Sequence, residues 1–147
     1  NFALNASSVI NNQLDGLFSV VNSAGLLIGL FSILVGGFSI ANIMFVSVKE
    51  RTNLIGIQKS LGAKNQFILT QFLFESVFLC LVGGLLGLLL VFIPSVIASL
   101  VFDINAYLSL KNIAIGLGSS ALIGLVSGVI PAYSASKLDP VEAIRTN

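Results

Sequence analysis

The stretch that decides the fold is residues 16–48, GLFSVVNSAGLLIGLFSILVGGFSIANIMFVSV, which contains no charged side chain. Two more charge-free stretches follow, at 76–102 and at 112–136. A helix needs about 20 apolar residues to cross a bilayer, so each stretch suffices for one span. None of them shows the strict alternation of a barrel strand. The sequence therefore predicts an all-α integral membrane protein with three transmembrane helices.

The composition argues against a soluble enzyme. Of the 147 residues, 56% are hydrophobic and 9% are charged, whereas about 25% are charged in ordinary soluble domains. Histidine is absent and Cys80 is the single cysteine, which excludes His-based catalysis and an internal disulfide framework. No phosphate-binding glycine loop ending in Lys-Ser/Thr is present. We therefore predict no catalytic, metal-binding or cofactor-binding residue, and no nucleic-acid partner.

The distribution of Lys and Arg predicts the orientation. Four lie in 49–75 and two in 137–147, against none in 1–15 and one in 103–111. Basic residues concentrate in cytoplasmic loops, so segment 49–75 and the C-terminus are expected inside and the N-terminus outside. A chain that begins outside, with Asn1 rather than Met, is expected to be the C-terminal portion of a longer membrane protein.

The polar segment 1–15 is expected to begin a stalk. Apolar residues at helical spacing run from Ile10 to Val21 and continue into the first span without a proline. A continuous helix over 9–48 would be about 60 Å long, about twice the hydrocarbon thickness, and would protrude outside the membrane. The alternative is a short interfacial helix followed by a separate span. Within the spans, pairs of glycines at i and i+4 predict close helix packing: Gly25 and Gly29, Gly83 and Gly87, Gly124 and Gly128.

Segment 49–75, KERTNLIGIQKSLGAKNQFILTQFLFE, is the candidate functional region. Leu54, Ile57 and Leu61 share one face of a short helix, with Thr52 and Lys59 opposite. Polar residues at the edge of this stripe favour docking into a protein groove over lying on lipid. Gly62 is expected to cap the helix, and a second helix should begin near Asn65. Glu75 is placed to pair with one of the nearby cations: Lys49, Arg51 or Lys64.

The tail, SKLDPVEAIRTN, predicts a short helix of its own. Asp139 is a helix cap, Pro140 suits the first helical position, and Glu142 completes a capping box. Arg145 then complements the helix dipole.

These segments together resemble the FtsX-like permease domain of MacB-type ABC transporters. Residues 36–64, GGFSIANIMFVSVKERTNLIGIQKSLGAK, are similar to the signature of that family, and residues 128–145, GVIPAYSASKLDPVEAIR, to its closing motif. The resemblance covers residues 16–146. Leu54 departs from the family pattern, which usually has an acidic residue there, and so does Tyr133, where a basic residue is common.

The resemblance implies a permease subunit that transmits the motion of a cytoplasmic ATPase across the inner membrane to export or extract an envelope substrate. The domain would occupy 16–147, with residues 50–63 as a coupling helix, a second permease subunit, and a periplasmic partner as a further candidate. ATP would bind the ATPase rather than this chain. The implied coupling residues are Glu50, Arg51, Thr52, Leu54, Ile55, Gly56, Ile57, Lys59, Leu61, Gly62 and Ala63, and the tail residues are Leu138, Asp139, Pro140, Glu142 and Arg145.

Two other hypotheses stand beside this one. The first is a non-transporting regulator, similar to FtsX, that relays ATPase motion to an external partner. The second is a structural membrane scaffold without an ATPase partner.

Overall fold

The computed structural model describes residues 2–102 and 109–145, with side chains from residue 13 onward except those of residues 102, 142, 144 and 145. Within these ranges the chain is helical and contains no strand, which confirms the all-α prediction. The five helices are α1 (Phe2–Glu50), α2 (Thr52–Ser60), α3 (Asn65–Phe102), α4 (Leu110–Ser136) and α5 (Pro140–Arg145).

Three of these helices are long and apolar enough to cross a membrane, as predicted. The qualifying segments are Gln13–Glu50, Asn65–Val101 and Leu110–Ser136. The first is one continuous helix, as the unbroken apolar spacing indicated. Its 49 residues correspond to about 73 Å at 1.5 Å per residue. Pro94 lies inside α3, and the helix continues through it. Residues 103–108, between the second and third charge-free stretches, lie outside the described residues.

The chain divides into two compact units, residues 1–36 and 37–147. The first unit consists of the first part of α1. Its residues from Gln13 to Gly36 are exposed, except for Gly29, which is half-buried. The second unit contains the last part of α1 with α2, α3, α4 and α5. The candidate functional region lies entirely in this second unit.

A hydrophobic core organises the α2 end of the second unit. It combines large side chains from α1, α2 and α3 with small ones from α4. Small residues on α4 allow its backbone to approach the bulky ones closely. Truncating a fully buried aromatic residue such as Phe72 costs about 3–5 kcal/mol in folded cores. The core residues are Met44, Val48, Ile55, Ile68, Phe72, Ala132 and Ala135.

Helices α3 and α4 meet along a line of small residues that we call the α3–α4 seam: Ser76, Cys80, Gly124 and Gly128. A methyl group added to Gly124 would lie 2.9 Å from the Ser76 carbonyl oxygen and 2.9 Å from Cβ of Cys80. One added to Gly128 would lie 2.6 Å from Cβ of Ser76. The Ser76 hydroxyl donates to the Leu73 carbonyl at 2.8 Å, so the hydroxyl is paired within its own helix where it enters the seam.

Candidate functional site

Helix α2 is joined to the end of α1 through a single residue, Arg51. The Arg51 amide still donates to the Ser47 carbonyl at 3.0 Å, and the Ile55 amide donates to the Arg51 carbonyl at 3.0 Å. The Thr52 hydroxyl donates to the Val48 carbonyl at 2.9 Å. Two of these bonds occupy the Ser47 and Val48 carbonyls, which the end of α1 would otherwise leave unpaired. The junction between α1 and α2 is therefore held by hydrogen bonds.

The other end of α2 is closed by Gly62, as the sequence predicted. Gly62 has φ 98°, in the left-handed region that glycine occupies without steric cost. Its amide donates to the Lys59 carbonyl at 2.9 Å, and the Ala63 amide donates to the Gln58 carbonyl at 3.0 Å. This pair of bonds is the Schellman motif. Helix α3 then begins at Asn65, so α2 is held at both ends by short connections.

One face of α2 is anchored in the core. Ile55 is 2% exposed and Gly56 is buried beside it, whereas Ala63 packs against the core from the connection to α3. A side chain in place of the Gly56 hydrogen would have to fit within this buried surface. Ile55 and Ala63, two of the residues that the resemblance implied, therefore anchor α2 to the core.

The opposite face of α2 carries the stripe that the sequence predicted. Leu54, Ile57 and Leu61 are 51%, 47% and 84% exposed. We call these three side chains the apolar face of α2. They lie on the same side of the helix because their spacing follows the three- and four-residue repeat of a helix. The helix thus presents a compact apolar surface of its own while Ile55 is buried on the other side.

An ion pair joins the start of α2 to α3. Arg51 Nη1 lies 3.3 Å from Glu75 Oε2, with the two side chains 48% and 28% exposed. Arg51 is thus the partner among the three cations that the sequence placed near Glu75. An exposed pair of this kind stabilises a protein by about 0–1 kcal/mol, so it orients the connection more than it stabilises the fold. Glu50, the last residue of α1, is exposed.

Lys59 makes a contact that the sequence did not predict. Its ammonium group donates to the carbonyl oxygens of Ser136 and Leu138, each at 2.7 Å. Both acceptors lie at the C-terminal end of α4 or just beyond it, in a distant part of the chain. A contact between a side chain and distant backbone oxygens leaves no periodic pattern in the sequence. The position of Lys59 opposite the apolar stripe was the only available signal.

The tail forms the short helix that was predicted. Asp139 Oδ1 accepts a hydrogen bond from the Val141 amide at 2.9 Å, which is the capping interaction. Pro140 is the first residue of α5, and Leu138 packs against the hydrophobic core. Helix α5 packs against α2. The roles predicted for the side chains of Glu142 and Arg145 lie outside the described residues.

In the part of the chain that the structure describes, no group of three His, Cys, Asp or Glu side chains comes together. What the arrangement provides is a short helix with one face held in the core and one apolar face turned outward. Its class is a polytopic membrane domain with a candidate partner-binding connection between two of its spans.

Comparison with known proteins gives the family. The family model described as the FtsX-like permease C-terminal domain matches residues 26–140. The chain therefore belongs to the FtsX-like permease domain family, as the sequence motifs indicated. Three membrane-spanning helices in this family make it a multi-pass protein of the inner membrane.

The relatives are ABC transporter permeases. Over 98% of its length the chain is 39% identical to the macrolide export ATP-binding/permease protein MacB of Agrobacterium fabrum, of which it covers 22%. It is 48% identical, over 78% of its length, to YknZ of Bacillus subtilis, an uncharacterized ABC transporter permease of which it covers 29%. It is 44% identical, over 80% of its length, to SyfD of Pseudomonas syringae, a probable syringafactin export ATP-binding/permease protein of which it covers 18%. The chain thus spans less than a third of each.

Proposed function

We propose that this chain is the part of an ABC transporter permease that transmits the motion of an ATPase to the membrane-spanning helices. A cytoplasmic ATPase, on a separate subunit or a fused domain, would dock on the apolar face of α2, and α2 would pass its motion to the spans. The observation that carries this proposal is the division of α2 into an anchored face and an exposed apolar face. Leu61 is 84% exposed while Ile55, on the other side of the helix, is 2% exposed.

The chemistry of the face favours a protein groove as the docking partner. An amphipathic helix that binds a groove presents apolar anchors at i, i+3 and i+7, as Leu54, Ile57 and Leu61 do. The flanking positions Asn53 and Ser60 are polar, which suits the rim of such an interface. The predicted orientation places α2 in the cytoplasm, where an ATPase would be available.

The composition of the spans favours a protein that transmits motion over one that conducts ions. They contain no charged residue between 16 and 48, 76 and 102, or 112 and 136. Ion and proton pathways through membranes generally use ionisable residues within the spans. We infer motion transmitted by two permease subunits to an envelope substrate or external partner, with ATP hydrolysed by the ATPase and no cofactor on this chain. Export of a substrate and signalling to an external partner would both use this transmission of motion through the spans.

The test is a charge placed on the apolar face. Leu61→Asp in the assembled transporter should weaken docking of the ATPase by roughly thirtyfold, or about 2 kcal/mol, the size of an interface hot spot. Since Leu61 is 84% exposed, the stability of the protein should change by less than about 0.5 kcal/mol. The measurements are co-purification of the ATPase and its stimulated hydrolysis rate.

Asn65→Asp is the matched control. Asn65 is exposed at the start of α3, outside α2, so the same charge there should leave docking within a factor of about three. Normal docking and stimulation in Leu61→Asp would contradict the proposed function. Equal losses in both variants would show that added charge anywhere near α2 is harmful and would remove the special role of the apolar face.

A further inference from the structure

The C-terminal end of α4 has a basic residue at its C-cap, Lys137, rather than in its last turn. A helix end leaves its last carbonyls without intrahelical partners and carries a partial negative charge. The last turn of α4 contains no basic residue. Lys137, which follows, has its ammonium group 5.6 Å from the centre of the Tyr133 ring. The backbone amides of Lys137 and Leu138 donate to carbonyls of residues 133–135.

Lys59 brings a second positive charge to this helix end from α2. Its ammonium group donates to the Ser136 and Leu138 carbonyl oxygens at 2.7 Å each. Both distances are at the short end for a nitrogen donor, as is typical of charge-assisted hydrogen bonds. Lys59 is half-buried, so the bonds are partly shielded from competing water. One side chain therefore closes the end of α4 and ties it to α2.

We propose that Lys59 is the positioning residue through which a displacement of α2 reaches α4. The proposal rests on the proposed function, because the displacement comes from the docked ATPase. Apolar contacts such as those of Ile55 are non-directional and tolerate sliding. The two hydrogen bonds that the Lys59 ammonium group donates are directional and do not tolerate sliding. A shift of α2 would leave the partly buried carbonyls unpaired. Lys59 thus gives the α2–α4 contact its direction.

The experiment compares hydrogen exchange of the assembled transporter in its nucleotide-free and ATP-trapped states. Exchange is followed in two peptides, one covering α2 (52–60) and one covering the end of α4 (131–138). In the wild-type protein both peptides should change their exchange on trapping with ATP. In Lys59→Met, which nearly keeps the length of the side chain but removes its donors, the change should persist in α2 and disappear in α4. Stimulated ATP hydrolysis should fall by at least about tenfold, because both charge-assisted hydrogen bonds of Lys59 are lost.

Two further variants separate coupling from simple capping. Lys59→Arg keeps a cation and several donors, so it should retain the ATP-dependent change in both peptides. Lys64→Met removes an exposed lysine nearby and should behave as the wild type. A purely structural cap would raise exchange at the end of α4 equally in both nucleotide states of Lys59→Met and leave the ATP-dependent difference intact.

The outcomes distinguish the two proposals. An ATP-dependent change that survives in the α4 peptide of Lys59→Met overturns the role of Lys59 and leaves the proposed function standing. A wild-type protein whose α2 peptide does not respond to ATP contradicts the proposed function itself. Loss of the α4 response in Lys59→Arg as well as in Lys59→Met would also count against the hydrogen-bonded link.

Discussion

Helices α1 and α4 carry the same glycine spacing in different surroundings. Gly25 and Gly29 stand at i and i+4, as do Gly124 and Gly128, and both pairs lie in charge-free stretches. Among the described atoms, nothing comes within 4 Å of a methyl group added to Gly25 or Gly29. The same addition at Gly124 or Gly128 meets α3 at 2.9 Å or less. The spacing therefore permits a close helix contact and does not by itself create one.

What differs is the facing helix. Ser76 and Cys80 lie one helical turn apart on α3, and they are the residues that a side chain at Gly128 or Gly124 would meet. Small residues on both helices, in matching register, let the backbones approach in a membrane, where lipid supplies no hydrophobic drive for helix association. Gly83 and Gly87 on α3 are also open in the described part of the chain. Within the second unit, the pair Gly124 and Gly128 has a small-residue counterpart and forms a contact, whereas a methyl group at Gly83 or Gly87 would meet no described atom within 4 Å.

The largest expected effect is at the α3–α4 seam. Gly128→Leu should destabilise the protein by more than about 3 kcal/mol, because the larger side chain meets Ser76 and Leu73 of α3. The measurement is the free energy of unfolding by dodecyl sulfate titration in mixed micelles. Gly29→Leu is the matched control, since it adds the same side chain in the open part of α1.

Equal destabilisation by Gly128→Leu and Gly29→Leu would contradict the conclusion that the two glycines differ in their surroundings. It would mean that leucine is harmful at any glycine of these spans, whatever faces it. A large effect at Gly128 alone would confirm that the facing residue sets the cost.

A second prediction sharpens the comparison to one pair of residues. Gly128→Ala places a methyl group 2.6 Å from Cβ of Ser76 and should cost about 2 kcal/mol. In a Ser76→Gly background that obstacle is gone, so the same substitution should cost about 1 kcal/mol less, the coupling typical of residues in contact. The four proteins of this double-mutant cycle are compared by the same titration. Additive costs, with no coupling, would show that Ser76 is not the residue that Gly128 accommodates.

Much of the architecture was predictable from charge and spacing. The three charge-free stretches indicated the spans, and the apolar spacing before residue 16 indicated that α1 is continuous. The glycine at 62 and the aspartate at 139 marked helix ends, because each has a local backbone role. Features that depend on neighbours within a few residues leave a signal in the sequence.

The contacts between distant segments were not predictable. The choice of Arg51 as the partner of Glu75, among three cations, depends on how α1 and α3 pack. The contact of Lys59 with the end of α4 likewise depends on how distant helices pack. So does the close approach of α3 at Gly124 and Gly128. The stripe of Leu54, Ile57 and Leu61 was recognised as one face. Its exposure follows only from Ile55 being the residue that enters the core.

The smallest expected effect is at the open glycines of α1. Gly29→Ala should change the free energy of unfolding by less than about 1 kcal/mol, and toward greater stability, because alanine restricts the unfolded backbone and favours helix. Gly124→Ala is its matched counterpart and should be destabilising, since its methyl group meets the Ser76 carbonyl oxygen at 2.9 Å. Opposite signs for one chemical change would establish that the two glycine pairs differ in surroundings. A destabilising Gly29→Ala would contradict this and would indicate that the exposed face of α1 is covered in the assembled protein. The oligomeric state of that variant, measured by light scattering, would then show whether the cover is a second copy of the chain.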